Sequence, residues 1–288
     1  MQKSSRNSAI SVDICVRICN FVPMSRATRE RRDEIITQLI SRKHVAIKDL
    51  AAEMAVSDAT VRRDLQVLAD GGEVELVHGG ARLANHADFS FQTRLQHNQP
   101  AKQVIGRLAA RLVADGDQLF IDSGTTCLEV AANLRQRSAV SVIANSARLA
   151  RELDNSGVEV IMVGGKYRPQ RMDCVGPIAL STLEQLRGYL AFIGADGLSM
   201  DFGPSASDIE SAATYRQAVK NARQAILLVD HTKFAEPSLY KIVEWDAIDR
   251  IVTDVEPADA WLEFFKQHEI EVVCPEHAGS LIRESVNP

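Results

Sequence analysis

Hydroxyl and guanidinium groups are concentrated between Ser57 and Arg63. An arginine guanidinium forms paired hydrogen bonds with guanine in the DNA major groove, and side-chain hydroxyls contact bases or phosphates beside it. Side chains of these types on one short segment therefore predict that the segment recognises DNA. The residues predicted to contact DNA, here and in the neighbouring segments, are Lys48, Ser57, Thr60, Arg62, Arg63, His78, Gly79 and Arg82.

Two short amphipathic helices would position these groups. Ser57 suits the N-cap of the second helix, because its hydroxyl can accept a hydrogen bond from a free backbone amide. Helical spacing predicts the apolar face of the first helix from Ile47, Leu50, Ala51 and Met54. The buried side of the second helix is predicted from Ala59, Val61, Leu65 and Leu68.

The segments on either side extend this pair to a winged helix-turn-helix. An apolar stripe predicts an earlier helix from Arg26 to about Ser41. Alternation over 73–77 predicts a strand, and His78-Gly79-Gly80 is typical of a hairpin tip. In a winged helix-turn-helix, the second helix of the pair lies in the major groove and one domain recognises few base pairs, which predicts a homo-oligomer.

A solvated helix face is the alternative interpretation of Arg62 and Arg63, since most charged runs are only that. Residues 24–82 contain ten Lys or Arg and ten Asp or Glu, so this region is not basic overall. DNA binding must therefore depend on where the individual cations are placed.

Polar residues also follow the strand-like segments of the remaining chain. From Ala101 onward, strands rich in Val and Ile alternate with helices, which predicts a mostly parallel sheet covered on both faces. Open sheets of this kind bind ligands at the carboxyl ends of their strands. Small or polar residues lie at five such ends, 122–126, 145–146, 164–165, 194–197 and 230–233. Each end alone is ordinary turn chemistry, but together they predict the rim of one polar pocket.

The first of these segments, Asp122-Ser123-Gly124-Thr125-Thr126, places glycine and hydroxyls where a strand gives way to a helix. The amides at a helix start favour an anion such as phosphate, although a well-capped helix start explains the same residues. Asp122 and Asp196 favour a ligand that also carries hydroxyls, which predicts a sugar phosphate. Lys233 is expected to add charge to the anion or to be exposed, and Glu210 to face the pocket or to be a first-turn acid.

The residues predicted to bind this effector follow from the five strand ends and the helix near Asp208. They are Asp122, Ser123, Gly124, Thr125, Thr126, Asn145, Ser146, Gly164, Gly165, Asp196, Gly197, Glu210 and Lys233.

The chain resembles the DeoR family of bacterial transcriptional regulators from about Arg29 to Pro275. Thr60-Val61-Arg62-Arg63-Asp64-Leu65 followed by His78-Gly79-Gly80-Ala81 is typical of the family's DNA-binding domain. The segments at 123–126, 194–197 and 230–233 resemble its effector domain, which is similar in fold to ribose-5-phosphate isomerase. The resemblance implies an oligomeric DNA-binding regulator, expected to repress a carbohydrate-catabolism operon and to be released from its operator by a phosphorylated sugar or related intermediate.

A sugar-phosphate isomerase with an accessory DNA-binding head is the alternative. The Lys-Gly-Gly-Gly segment that carries a catalytic lysine in those isomerases has no counterpart in residues 198–204. General acid–base catalysis needs a positioned base and a partner, and the sequence supplies no complete set. We therefore expect no catalytic residues and no enzymatic turnover.

Composition sets the remaining expectations. The 288 residues are 45% hydrophobic, which is ample for a core, and their formal net charge of −5 argues against bulk attraction to nucleic acid or anionic membranes. Five scattered cysteines predict a reducing, cytoplasmic protein without a disulfide framework, metal site or cofactor.

The expected fold class is α/β, with an N-terminal winged helix-turn-helix domain and a larger, mostly parallel α/β effector domain. The expected domains are an extension at 1–23 that is disordered or comes from an early start, the winged helix-turn-helix at 24–83, a linker at 84–100, the sugar-phosphate-sensing domain at 101–275 and a tail at 276–288.

Overall fold

A computed structural model describes residues 26–42, 44–70, 74–83, 91–135 and 137–276. The expected extension at 1–23, and nearly all of the expected tail, lie outside these residues. No helix in these described ranges is both long enough and apolar enough to span a membrane.

The N-terminal domain, here called the head, is a winged helix-turn-helix, as predicted. Its apolar core lies between the helices and the wing and includes Ile35, Leu50 and Leu65, all fully buried. In chain order the elements of the head are α1 (Arg26–Arg42), β1 (His44–Ala46), α2 (Ile47–Glu53), α3 (Asp58–Asp70), β2 (Val74–Val77) and β3 (Gly80–Leu83).

Helix α3 begins as predicted, because the Ser57 hydroxyl accepts a hydrogen bond from the amide of Thr60 at 3.2 Å. The predicted buried side is wrong at Ala59, which is exposed. Asp64 lies on that side instead, 2% exposed, and accepts hydrogen bonds from Arg31 at 2.6 Å and Arg32 at 2.8 Å. A carboxylate is tolerated at the buried face because two cations of α1 pair with it.

The wing is a hairpin whose tip is His78-Gly79, as predicted. Gly79 has a φ of 80°, which favours glycine at this turn. Gly80 has no room for a side chain, since a Cβ atom there would lie 2.1 Å from the carbonyl oxygen of Val45. The third strand of this small sheet, β1, pairs with β3 and fastens the wing to the helices.

The segment expected to be a linker contains a helix. This six-residue helix, α4 (Phe91–Gln96), was not predicted because the segment is polar and lacks periodicity. Phe91 is buried in it and Arg94 is half-buried. Helix α5 also begins at Gln99, before the expected boundary at Ala101, and Pro100 occupies its first turn, where proline is well tolerated.

The second domain is built on a seven-stranded parallel sheet, with strand order β15-β14-β12-β9-β4-β5-β6. Its first elements are α4, α5 (Gln99–Arg111), β4 (Gln118–Ile121), α6 (Thr125–Ala132), β5 (Ser141–Ala144), α7 (Ala147–Glu152), β6 (Glu159–Met162), β7 (Lys166–Arg168) and β8 (Asp173–Val175). They are followed by α8 (Pro177–Glu184), β9 (Leu190–Gly194), β10 (Gly197–Ser199), β11 (Gly203–Ala206), α9 (Ile209–Asn221), β12 (Gln224–Leu228), β13 (Tyr240–Lys241), β14 (Arg250–Val252), α10 (Asp259–Gln267) and β15 (Glu271–Val273).

Alternate side chains of the inner strands enter two cores on opposite faces of the sheet. Phe120 and Ile193 lie in the core that includes residues of α8, α9 and α10. Leu119 and Phe192 lie in the other, which includes residues of α5, α6 and α7. Helices on both faces explain why the inner strands are rich in buried apolar residues, and the predicted fold class is confirmed.

Two small antiparallel pairings were not predicted. Strands β7 and β8 form a hairpin that crosses the end of β5, and β10, β11 and β13 form a separate three-stranded sheet. The hairpin is fastened to the sheet through backbone bonds, since the amide of Cys174 donates to the carbonyl of Asn145 at 2.8 Å.

We predict that Asp64→Ala destabilises the head. The substitution leaves Arg31 and Arg32 without their shared carboxylate, at a cost of about 2 kcal/mol, because both guanidinium groups keep some contact with water. Hydrogen exchange of the α3 amides should accelerate about thirtyfold. Asp70→Ala, an exposed change on the same helix, is the control. Equal protection in the two variants would show that the ion pairs contribute nothing.

Candidate functional site

A cavity of about 210 Å³ opens at the carboxyl ends of β4 and β9. The strand order reverses between these two strands, because β5 and β6 follow on one side of β4 and β12 lies beyond β9. Open α/β sheets bind ligands at such a reversal. The sequence-predicted residues that line the cavity are Asp122, Ser123, Gly124, Thr125, Thr126, Asp196 and Lys233.

Asp122 joins the two strand ends that form the cavity. One carboxylate oxygen accepts from the amide of Gly124 and the other from the amide of Gly194, each at 2.5 Å. Burial raises the pKa of Asp122 to about 6, although both amide bonds act in the opposite direction. This carboxylate is therefore a brace that shapes the floor of the cavity, in addition to any ligand contact it makes.

The segment 123–126 turns directly into α6. Gly124 is required here, since a Cβ atom would lie 2.8 Å from a carboxylate oxygen of Asp122. Thr125 and Thr126 occupy the first turn of α6 and line the cavity. Backbone amides at a helix start carry partial positive charge, so this turn can bind an anion.

Several cationic side chains that the sequence interpretation missed line the same cavity. Lys102, 4% exposed, donates from Nζ to the carbonyls of Arg94 and His97, the latter at 2.7 Å. Burial lowers the pKa of Lys102 to about 8, and that of His97 to about 4. Arg94 lies 3.5 Å from Asp196, whose pKa is lowered by Arg94 and Lys233 against the effect of its burial.

Arg171 enters the cavity from the turn of the β7–β8 hairpin. Its guanidinium pairs with Asp208 at 2.5 Å and donates to the Ser211 hydroxyl at 3.1 Å. Tyr215, one turn further along α9, also lines the cavity, and burial raises the pKa of its phenol well above the ordinary value.

Four predicted effector residues lie at strand ends that do not line the cavity. The side chain of Asn145 donates to the carbonyl of Cys174 at 3.1 Å, and Ser146 caps α7. Both positions therefore support the β7–β8 hairpin and the following helix. Gly164 and Gly165 lead into the same hairpin, and a Cβ at Gly165 would lie 2.7 Å from the carbonyl of Val175.

The other two predicted effector residues that do not line the cavity are Gly197 and Glu210. Gly197 begins β10, where a Cβ would lie 2.1 Å from the carbonyl of Glu236. Glu210 is in the first turn of α9 and pairs with Lys166 at 3.3 Å. Of the two positions considered for Glu210, the structure therefore shows the first-turn acid.

One sequence signal pointed to a missed residue. Lys102 lies three residues before Ile105 and seven before Ala109, on the apolar face of α5. A lysine in phase with buried residues is uncommon unless it has partners. Arg94 and Arg171 gave no comparable signal. Arg94 lies in a polar segment without periodicity. Arg171 reaches the cavity only because the β7–β8 hairpin folds towards it, and the sequence did not predict that hairpin.

The predicted DNA-contacting residues lie on the exposed side of the head. Arg62 and Arg63 project from α3 into solvent, while Lys48 is exposed on α2. The wing presents His78 and Gly79 at its tip and Arg82 on β3, where Arg82 pairs with Glu75 at 2.6 Å. Of the remaining two, Ser57 is exposed and caps α3, and Thr60 is half-buried with its hydroxyl 2.9 Å from that of Ser57.

Comparison with known families matches both domains. Residues 31–87 match the DeoR-like helix-turn-helix domain, and residues 97–255 match the DeoR C-terminal sensor domain. The chain belongs to the DeoR family. It is therefore a DNA-binding transcriptional regulator, and the expected resemblance is confirmed.

Similar proteins align with 78–86% of this DeoR-family chain. The transcriptional repressor GlcR of Bacillus subtilis is 31% identical over 86% of this chain and 96% of its own. The regulator YgbI of Escherichia coli is 35% identical over 78% and 89%, and the glycerol-3-phosphate regulon repressor of Escherichia coli is 27% identical over 84% and 97%.

Among solved structures, ribose 5-phosphate isomerase A from Methanocaldococcus jannaschii is 18% identical, with a TM-score of 0.37 over 48% of this chain and 55% of that chain. A resemblance this distant says nothing about the activity of the DeoR-family protein.

We predict that anion binding in this cavity weakens as Lys102 loses its proton. Sulfate is a suitable probe because its charge is constant from pH 7 to 9. Its affinity, measured by calorimetry, should fall across this range because a pKa of about 8 leaves Lys102 mostly neutral at pH 9.

The variant Lys102→Met should bind sulfate weakly at pH 7 and show little further loss at pH 9. Lys220→Met, an exposed change on α9, should behave as the parent does. A parent affinity that is unchanged between pH 7 and 9 would show that Lys102 does not contribute charge to the anion.

Proposed function

We propose that this DeoR-family member represses a carbohydrate-catabolism operon and is released from its operator by a phosphorylated sugar or related intermediate. The observation that carries the effector assignment is the cavity at the β4 and β9 ends, where a helix start and several cations surround one space. Two relatives are named as repressors, and the name of one refers to glycerol 3-phosphate.

The charges around the cavity fit a phosphate. The described lining residues include the cations Arg94, Lys102, Arg171 and Lys233 and the acids Asp122 and Asp196, while His97 is neutral near pH 7 because burial lowers its pKa to about 4. Two further carboxylates lie beside these cations, since Arg171 pairs with Asp208 and, against the effect of burial, the pKa of Asp230 is lowered by Lys233 and Lys102. A phosphate at the start of α6 would accept hydrogen bonds from the helix amides and from cations of the wall. The acids and the hydroxyls of the wall supply partners for sugar hydroxyls.

Helix α4 is the element proposed to couple the cavity to the head. Phe91 and Arg94 of this helix line the cavity, and the carbonyls of Arg94 and His97 accept from Lys102. Ile36 of α1 also lines the cavity, so a ligand there would affect the head and the sensor together. A population shift of this kind typically changes operator affinity by about 1–3 kcal/mol.

The protein is expected to act as a homo-oligomer in the cytoplasm. A single head places one α3 helix in one major groove, so an operator of useful length needs at least two heads. Residues 24–82 contain ten basic and ten acidic residues, so local contacts and not bulk charge would provide the affinity of each head for DNA. Two heads on one operator would add their contacts.

Sensing without turnover is favoured over isomerase activity. The β10–β11 hairpin covers the segment where the isomerases carry a catalytic lysine, and its residues 198–204 contain no lysine or histidine. Incubation of the purified protein with pentose and hexose phosphates should give no isomerised product. Turnover above the uncatalysed rate would favour the isomerase alternative.

We predict that Arg62→Ala and Arg63→Ala each weaken operator binding about 5- to 150-fold. Each substitution removes a guanidinium that can pair with a base, an interaction worth about 1–3 kcal/mol. Both side chains are exposed, so melting temperatures should not change. Arg187→Ala, exposed on the second domain, is the control for lost positive charge. Parent-like binding by both variants would show that α3 does not lie in the groove.

We predict that Thr125→Val combined with Thr126→Val produces a regulator that binds DNA but responds poorly to its effector. Valine keeps the shape of threonine and removes the hydroxyls, so the ligand concentration needed for operator release should rise about tenfold or more.

The measurement is operator affinity against a panel of sugar phosphates. Thr182→Val is the control, since the Thr182 hydroxyl donates to the Ile178 carbonyl within its own helix. Release of the double variant at the parent's ligand concentration would place the effector site elsewhere.

A further inference from the structure

We infer that Arg94 is the residue that transmits effector binding from the cavity to the head. The inference rests on the proposed function, in which a phosphorylated sugar occupies the cavity. Arg94 is the only charged residue in the sequence of α4, and it lines the cavity. Residues 84–90 alone separate this helix from the last strand of the wing, so a shift of α4 against the second domain changes how the head is attached.

Both ends of α4 are fastened to the second domain. At its start, the ring of Phe91 lies beneath the guanidinium of Arg148 on α7, whose central carbon is 4.2 Å from the ring centroid. At its end, Lys102 of α5 donates to the carbonyls of Arg94 and His97. These contacts are complete without a ligand, so they set a resting position for the helix.

The side chain of Arg94, between these two ends, is incompletely bonded. Its Nη1 atom lies 3.5 Å from an oxygen of Asp196, which is long for a hydrogen bond between charged groups. Among the residues that the structure describes, the buried Nε atom of Arg94 has no hydrogen-bond partner. A buried N–H without a partner is destabilising, and a ligand oxygen that accepts from it would remove this cost.

Arg94 is connected to the place where a phosphate fits best. Its partner Asp196 lies two residues beyond the end of β9, and the two amide bonds of Asp122 join that strand end to the start of α6. Helix α4 also packs directly against α6. A phosphate at the start of α6 would therefore lie beside α4, with its oxygens available to the guanidinium of Arg94.

Such a contact would change the freedom of α4 as well as the affinity for the ligand. Once a phosphate oxygen accepts from Arg94, the helix is held to the second domain more firmly than in the free protein. Because α4 leads to the wing, the ligand then favours one placement of the head over others, which is what changes operator affinity. Lys233 lines the same cavity but follows β12, so its contact with a phosphate would supply affinity without holding α4.

The experiment separates ligand affinity from coupling, which is the ratio of operator affinities without and with saturating ligand. The operator is one selected from random DNA by the purified protein. The probes are glycerol 3-phosphate, ribose 5-phosphate, glucose 6-phosphate and fructose 6-phosphate, and the probe that most weakens operator binding by the parent is used. Calorimetry on each variant gives its saturating concentration. Sodium chloride at matched ionic strength replaces the ligand in the reference, since salt itself weakens DNA binding.

The variants Arg94→Gln and Lys233→Gln each remove one cation from the cavity, so both should bind the ligand about tenfold more weakly. At saturation, Lys233→Gln should keep the coupling of the parent, about 5- to 150-fold, whereas Arg94→Gln should retain less than about twofold. Arg111→Gln, an exposed change on α5, is the control for lost charge outside the cavity. Parent-like coupling in Arg94→Gln, or an equal loss of coupling in Lys233→Gln, would overturn the assignment of Arg94.

A second measurement needs no variant, so it decides the matter even if Arg94→Gln does not fold. Hydrogen exchange of the backbone amides of α4 in the parent should slow about tenfold when the ligand saturates the cavity, because the ligand holds this helix. Unchanged exchange would contradict the inference while leaving the effector assignment intact. If no probe released the parent from its operator, the proposed effector class would itself be wrong, and this inference with it.

Discussion

Both oxygens of the Asp122 carboxylate accept backbone amides, one from Gly124 at the start of α6 and one from Gly194 at the end of β9. These bonds join two strand ends at the point where the order of the sheet reverses. Strands β4 and β9 are neighbours there, and the next strand of the sheet lies on one side after β4 (β5) and on the other side after β9 (β12). The cavity, the helix start and the cations around it all depend on this junction. The carboxylate remains buried at the cost of a raised pKa, because the two amides offset part of its desolvation.

Around that junction, the walls of the cavity come from parts of the chain with different roles. The β7–β8 hairpin brings Arg171 and is fastened to the turn at 123–126 through Asp173, which accepts from Ser123. Helix α4 brings Arg94 and stands next in the chain to the segment that leads to the wing. In the proposed function, helix α4 is the wall placed to transmit ligand binding to the head. Such a ligand would shift the equilibrium between two conformations only by its differential affinity for them.

Local patterns predicted most of the fold. The Ser57 cap, the apolar faces of the head helices and the glycine tip of the wing depend on residues close by in the chain. The sequence was therefore sufficient to predict these features. The strand ends at 122–126 and 194–197 were also recognisable, but the pocket drawn from five strand ends was too wide. The order of the strands is a long-range property, and it places β5 and β6 on the side of β4 that faces away from β9. Asn145 and Ser146, at the end of β5, therefore support the β7–β8 hairpin and do not line the cavity. Asp64 was missed for a similar reason, because its cationic partners lie on another helix.

The most direct test of the account is whether the two domains are energetically linked. An operator selected from random DNA by the purified protein allows sugar-phosphate affinity to be measured with the protein free and with it bound to DNA. The account predicts that DNA weakens sugar-phosphate binding by the same factor by which the sugar phosphate weakens DNA binding, about 5- to 150-fold, because coupling between two sites is reciprocal. Equal sugar-phosphate affinity for the free and DNA-bound protein would contradict it.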